Sequence, residues 1–300
     1  MKTLLLIVNP NAGKGAFRNG FADILHTFHK ADYRTTLAFT NARGDATAIA
    51  SQSGSQFDRV VCMGGDGTLG ETVNGLMKLP QTERPELGYI PMGTTNDSAT
   101  NFGLSRDPFQ ASITAAHGRV LPIDIGRCNG QYFTYVAAFG AFTEVSYETP
   151  QDQKNMLGRL AYFLDALNRL PNLTHRWMRL EYEGGVVEGD YIFCAVTNSR
   201  SVAGVIRLKD SLGISLSDGL FEIILIKTPE TAMQLGPIIT GILANNFTSD
   251  YVSLLRCRKA HFTFREPVAW TLDGEDGGKH LEVLCENLTH SIPMIVKSDI

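Results

Sequence analysis

Apolar residues recur along the first third of the chain in two alternating rhythms. Short continuous runs at Thr3–Val8, Thr35–Phe39, Arg59–Met63 and Leu87–Pro91 have the length of buried strands. Between them, Phe17, Phe21, Ile24, Leu25 and Phe28 are spaced as one face of a helix over Ala16–Lys30, and Ala46–Ser53 and Leu69–Leu79 also read as helices. Strands alternating with helices predict right-handed crossovers and a parallel sheet covered on both faces. In such sheets ligands sit beyond the carboxyl ends of the strands.

After about Leu121 the rhythm changes to short strands and glycine turns: Gln131–Ala138, Met178–Tyr182, Gly189–Thr197, Leu220–Lys227 and His261–Phe264. This region predicts a mainly antiparallel sandwich or open barrel. Two helical patterns interrupt it, at Leu157–Leu170 and Pro229–Asn245. The predicted class is therefore α/β, with an N-terminal parallel-sheet domain and a C-terminal antiparallel β domain that meet near residue 122.

Composition narrows the function. The 300 residues are 43% hydrophobic and 19% charged, with a net charge of −4. The absence of a basic stripe argues against nucleic acid. Five scattered cysteines with no CxxC spacing predict buried free thiols in a reducing compartment. The apolar start, Leu4–Val8, is too short for a secretory core and reads as a first strand. No run reaches the ~18 apolar residues of a membrane-spanning helix, so any membrane contact is predicted to be peripheral.

Three glycine-containing loops follow three of the predicted strands. They are Asn9-Pro10-Asn11-Ala12-Gly13-Lys14-Gly15, Gly64-Gly65-Asp66-Gly67-Thr68 and Pro91-Met92-Gly93-Thr94-Thr95-Asn96-Asp97. A glycine lets backbone amides approach phosphate oxygens, and a following helix N-terminus adds partial positive charge. One such loop is a tight connection; three at one sheet edge predict a phosphate site. Gly13-Lys14 is not a Walker loop, because Gly15 stands where Ser or Thr is required. Gly65-x-Gly67-x-x-Gly70 matches a dinucleotide fingerprint formally. However, Asp66 would face a pyrophosphate without a counter-ion, and it suits a magnesium ion better. The alternative for Asp66 is a helix cap. Lys14 reads either as a phosphate contact or as a solvated loop lysine.

At these positions the sequence resembles the diacylglycerol kinase catalytic family, which includes bacterial soluble lipid kinases and sphingosine kinases. The likeness rests on the Asn-Pro-x-x-Gly loop, the Gly-Gly-Asp-Gly-Thr turn, Gly93-Thr94-Thr95-Asn96-Asp97, Asp218-Gly219-Leu220 and Leu272-Asp273-Gly274-Glu275. It implies a magnesium-dependent kinase that transfers the γ-phosphate of ATP to a lipid hydroxyl, with diacylglycerol as the default acceptor. It implies an ATP-binding domain over 1–122, rejoined by 286–300, and a lipid-substrate domain over 123–285. The implied ATP contacts are Asn9, Pro10, Asn11, Ala12, Gly13, Thr40, Gly65, Asp66, Gly67, Thr68, Leu69, Gly70, Glu71 and Thr94. Glu275 is the implied general base and Asp66 the residue for catalytic Mg²⁺; Asn96 and Asp97 read as a helix cap or, in a mixed role, as acceptor-side residues, with Asp97 near the acceptor. A structural magnesium is implied at residue 215, Asp218 and the Leu220 carbonyl, but residue 215 is Ser rather than a carboxylate. Ser98-Ala99-Thr100 also departs from the usual Phe-Ala-Arg. Cytoplasmic localisation at the inner membrane face and homodimerisation are further family expectations.

Two other readings stand beside this one. A soluble-substrate kinase of the NAD kinase type shares the Gly-Gly-Asp-Gly-Thr turn, but not the Asn-Pro loop or the Asp-Gly-Glu turn. A catalytically silent nucleotide sensor would need the loops and not Glu275. From the residues alone, Asp273–Glu275 also reads as an acidic hairpin turn. The helix at Leu157–Leu170 reads either as ordinary packing or as a membrane-facing lid.

Overall fold

The computed structural model describes residues 1–13, 20–94, 96–140, 175–199, 201–202, 206–208, 212–247 and 249–298. The helix expected at Leu157–Leu170 and the side chain of Lys14 lie outside them. The chain divides into two units, Met1–Ile125 with Thr289–Ile300, and Gly126–Leu288.

In the first unit, strands β1 (Lys2–Val8), β2 (Tyr33–Phe39), β3 (Arg59–Gly64) and β4 (Glu86–Pro91) alternate with helices. The helices are α1 (Phe21–Lys30), α2 (Asp45–Ser53), α3 (Asp66–Leu76), α4 (Asp97–Asn101) and α5 (Pro108–His117). All neighbouring strand pairs among β1–β4 are parallel, in the order β4-β3-β1-β2. The last strand contributes Met294 beside Leu87, also parallel.

The inner strands β1, β3 and β4 are buried on both faces, which is why they read as continuous apolar runs rather than as alternating ones. Leu4, Leu6, Val8, Val61 and Met63 pack with Ile24 and Phe28 of α1 and with Ala111 and Ala115 of α5. The opposite parity, Leu5 and Ile7, is equally buried, and α2 and α3 pack together. Arg59 is the charged residue inside this arrangement, 4% exposed. Its guanidinium donates to Glu86 and to the carbonyls of Ala115 and Ala116, which end α5. A buried cation is tolerable here because each of its three nitrogens finds an acceptor and one of those is a carboxylate.

Helix α5 was not among the sequence expectations, although its signal was present. Asp107 accepts the Gln110 amide at 2.8 Å and Pro108 occupies the first turn, the pairing expected of a helix start.

The second unit is built from antiparallel pairings. Strand β5 (Arg119–Cys128) enters it and pairs with β6 (Gln131–Phe133). Then come β7 (Val136–Gly140), β8 (Arg176–Tyr182), β9 (Gly185–Thr197) and a two-residue pair, β10 (Ser201–Val202) and β11 (Ile206–Arg207). After these follow β12 (Phe221–Lys227), α6 (Leu235–Ala244), β13 (Val252–Cys257), β14 (Lys259–Leu272) and β15 (Glu275–Val296). The strand expected over Gln131–Ala138 is two strands, because Thr134 and Tyr135 are drawn out of the ladder by bonds to Asp273.

Strand β12 lies between β9 and β13 and serves two cores. Phe221, Ile223 and Leu225 face an aromatic cluster containing Phe139, Phe262, Phe264 and Trp270, while Ile224 and Ile226 face Ile238 and Ile242 of α6.

One cysteine expectation is corrected. Cys62, Cys194 and Cys257 are free and buried, but Cys128 and Cys285 form a disulfide, with Cα atoms 4.2 Å apart. They are 157 residues apart in sequence and become neighbours because β5 lies beside β15. Spacing along the chain carries no trace of such a pair.

Candidate active site

The parallel register aligns the carboxyl ends of all four strands. Val8 pairs with Met63 and with Phe39, and Gly64 pairs with Pro91. The loops after β1, β2, β3 and β4 therefore leave from one edge. The chain steps from β1 outward to β2 and then crosses back to β3 on the other side of β1. The edge beyond β1 and β3 is thus a topological switch point, where open α/β sheets bind ligands.

Two of the expected loops flank that point and are tied together. Asn9 Nδ2 donates to Thr68 Oγ1 at 3.0 Å, the Asn9 amide donates to the Met63 carbonyl, and Asn9 Oδ1 accepts the Asn11 amide. Thr40, buried at the end of β2, donates its amide to Val8. Helix α3 begins at Asp66, and its first intrahelical bond runs from Leu69 N–H to the Gly65 carbonyl. The amides of Asp66, Gly67 and Thr68 precede that bond, so they form the free N-terminal turn of α3.

The third loop touches the second, backbone to backbone. A Cβ at Gly93 would lie 2.8 Å from the Gly65 Cα, and also 2.8 Å from Asn96 Oδ1. Only glycine permits this approach. Asn96, left-handed at φ 50° and buried, closes the loop on itself: its Oδ1 accepts the Gly93 amide and its Nδ2 donates to the Gly93 carbonyl. Asp66 completes the link, since its two carboxylate oxygens accept the amides of Asp97 and Ser98 at 3.1 and 3.0 Å. It is thus a cap, but of α4 rather than of its own helix. Each oxygen keeps a second lone pair, so Asp66 can also face a phosphate-bound cation. That fits Mg²⁺, which typically takes one or two carboxylates alongside substrate phosphates.

Several expected contact residues have other partners. Glu71 accepts the amides of Gly44 and Ala46 and so caps α2. Leu69 is buried and its amide is spent within α3. Pro10, Ala12 and Gly13 are partly exposed in the first loop, Gly70 is partly exposed on α3, and Thr94 is exposed in the third loop. Asp97 contributes its amide to the Asp66 link. Asn9, Thr68, Gly65, Asp66, Gly93, Asn96 and Asp97 are therefore brought together within the first unit.

Glu275 and the Asp218 turn belong to the second unit. Leu272 pairs with Glu275 across a two-residue turn, Asp273-Gly274, with both φ angles positive (51° and 84°). This is the Asp-Gly hairpin that such a pattern predicts. Glu275 is exposed at the start of β15. Asp273 holds the turn in place: its carboxylate accepts the Thr134 amide and hydroxyl at 2.6 and 2.8 Å, and the Tyr135 and Val136 amides at 3.0 Å. Burial pushes the Asp273 carboxyl upward, and these donors oppose the shift. Sequence reasoning did not assign this anchoring role, because its four donors lie 137 to 139 residues away.

The set Ser215, Asp218 and Leu220 does not fit a structural magnesium. It supplies a single carboxylate, and Asp218 Oδ1 accepts the Leu220 amide while Oδ2 accepts from Arg256 at 2.7 Å. Ser215 Oγ accepts the Ser217 amide. Among the described residues, no group of three or more His, Cys, Asp or Glu is placed to hold a metal.

Glycine loops at the switch point of a parallel sheet are where open α/β proteins take ligands, phosphates among them. The model of the diacylglycerol kinase catalytic domain matches residues 3–128. A diacylglycerol kinase of Bacillus subtilis is 36% identical over 280 residues, covering 93% of this chain and 91% of the relative. A diacylglycerol kinase of Staphylococcus aureus is 34% identical over 301 aligned residues, covering 100% and 94%. A solved structure from Bacillus anthracis, assigned to the diacylglycerol kinases, is similar at a TM-score of 0.83 and 26% identity, covering 99% of this chain and 95% of the other. The chain belongs to the diacylglycerol kinase catalytic family and is a kinase.

Proposed function

We propose that this kinase transfers the γ-phosphate of ATP to the primary hydroxyl of a lipid, with diacylglycerol as acceptor and phosphatidic acid as product. The observation that carries the nucleotide half is the joining of the Asn9, Gly65 and Gly93 loops at one sheet edge. The acceptor half rests on the family and on the names of the relatives.

Phosphoryl transfer asks a protein chiefly for positioning and charge neutralisation. In this reading, residues 9–13 and the free amides of α3 take the phosphates. Thr40, Gly70 and Thr94 line the nucleotide, and Glu71 supports it by fixing α2. Asp66 would hold Mg²⁺, which neutralises charge on the transferring phosphate. Glu275 accepts the proton of the lipid hydroxyl while the new O–P bond forms. The bond from the γ-phosphorus to the β,γ-bridging oxygen breaks, and ADP leaves. Asn96 and Asp97 stand on the acceptor side. The first unit is the ATP-binding domain and the second takes the lipid. Access to a lipid implies peripheral contact with the inner face of the cytoplasmic membrane, and no helix among the described residues is long and apolar enough to cross one.

The test is labelled ATP offered with diacylglycerol, sphingosine, ceramide, phosphatidylglycerol and NAD, scored by phosphorylated product. Glu275→Gln should abolish turnover while nucleotide affinity stays near wild type. Near-native turnover in that variant, or product from NAD alone, sinks the proposal.

A further inference from the structure

The second unit buries a carboxylate that the proposed reaction does not use. Glu222 sits in β12, directly opposite Arg256 of β13 in the antiparallel register. Its side chain is fully buried, on the same strand face as Ile224 and Ile226. Arg256 Nε donates to Glu222 Oε1 at 3.1 Å. The same guanidinium donates through a terminal nitrogen to Asp218 Oδ2 at 2.7 Å. One planar fork thus spans two carboxylates, a geometry that suits arginine and not lysine. Glu222 Oε2 is buried and has no hydrogen-bond partner among the described residues, so the carboxylate depends on Arg256 for its compensation. A carboxylate left in an apolar strand face without its cation is strongly destabilising.

The Asp218 turn is where the family resemblance expects a structural divalent cation. Here the turn offers one carboxylate, one neutral hydroxyl and one carbonyl, and Asp218 Oδ2 is already held by the Arg256 guanidinium. Mg²⁺ prefers carboxylate oxygens in near-octahedral order, and a guanidinium on one of those oxygens would repel it. We propose that Arg256 takes the place of that cation. The guanidinium is a covalently built counter-charge that ties the Asp218 turn to β12 and β13 and frees the second unit from divalent metal. Magnesium would then be required only with the nucleotide. The proposal is independent of the acceptor and of the kinase mechanism, since it is tested without nucleotide or turnover.

The experiment uses the full chain, stripped with EDTA and free of nucleotide. Thermal unfolding is followed against added Mg²⁺, and bound Mg²⁺ is counted by equilibrium dialysis, in wild type and in Asp218→Asn. Expected are a wild-type Tm that neither EDTA nor Mg²⁺ moves, and no bound Mg²⁺ that Asp218→Asn removes. Arg256→Met should lower Tm, and Arg256→Met with Glu222→Gln should recover part of the loss, because the stranded charge is gone. A wild-type Tm that falls in EDTA and is restored by Mg²⁺ overturns the proposal, as does one bound Mg²⁺ abolished by Asp218→Asn. An Arg256→Met variant as stable as wild type also overturns it. If Arg256→Met does not fold, the wild-type measurements decide alone.

Discussion

Replacing Asp273 by alanine removes one carboxylate and strands four donors. The Thr134 amide and hydroxyl and the Tyr135 and Val136 amides all end on that side chain, at 2.6 to 3.0 Å. Hydrogen bonds to a charged acceptor are worth about 1.5–3 kcal/mol each, and a buried donor left unpaired costs about 1–3 kcal/mol. The donor residues are buried, but the turn beside them is open at Gly274, and water entering the space left by the carboxylate can rescue some of the donors. A loss of ~3 kcal/mol follows for Asp273→Ala, near the upper end of single-site effects. For a unit of this length that lowers the melting temperature by about 6–12 °C. Asp273→Asn should fall between, since its amide keeps one acceptor oxygen but turns an NH₂ toward donors. The assay is thermal unfolding by circular dichroism, paired with turnover and nucleotide affinity. In the proposed reading, with Glu275 two residues along the same hairpin as base and the nucleotide on the first unit, kcat should fall with the turn while nucleotide affinity holds. An alanine variant melting within about 2 °C of wild type would refute the anchoring role.

Two other perturbations test the first unit. Gly93→Ala forces a Cβ to 2.8 Å from the Gly65 backbone and should weaken nucleotide binding at least ~10-fold, or ~1.4 kcal/mol; calorimetric binding equal to wild type would contradict the backbone contact. Asp58 ties the starts of β1 and β3 together by accepting the Thr3 amide and hydroxyl at 2.7 and 3.0 Å, bonds that hold its carboxyl below the ordinary value. The stability it contributes is therefore present above the unfolded carboxylate pKa, about 3.9, and is lost as pH falls through the lowered folded value. The Tm gap between wild type and Asp58→Asn should be full at neutral pH and close in acid, and a gap that widens on acidification would show the wrong sign.

What the sequence revealed divides along physical lines. Runs such as Leu4–Val8 and Val60–Met63 were legible because a strand buried on both faces must be apolar throughout. The glycine loops were legible because strained or closely approached backbone selects glycine. The partners of the polar residues were not. Asp66 was read as a metal ligand or as the cap of its own helix, whereas its anchoring of α4 depends on β4 lying beside β3. Glu71 was read as an ATP contact, whereas its carboxylate caps α2, 25 to 27 residues earlier. The Cys128–Cys285 bond and the Arg256 fork depend in the same way on strand neighbours that no local pattern encodes. Asp107-Pro108 is the opposite case, a local signal that was present and passed over.

These partners share a direction that bears on how such a site works. Asp66, Glu71 and Asn96 carry the side-chain chemistry that sequence reasoning assigns to a ligand, and each spends side-chain oxygen on backbone amides: Asp66 and Glu71 on those of another segment, Asn96 on its own loop, as Asp273 does on residues 134–136. In the proposed reading the phosphates are then met largely by main-chain groups, the free amides at the start of α3, with Mg²⁺ on Asp66 beside them. Backbone amides cannot be re-aimed by a rotamer change, so their accuracy depends on how firmly the loops are fixed to one another. A reaction governed by positioning rewards that arrangement. The Asp66 and Asp273 carboxylates therefore act as struts in the structure, which in the proposed reading would fix the Asp66 oxygens toward Mg²⁺ and the Asp273-Gly274 turn that carries Glu275.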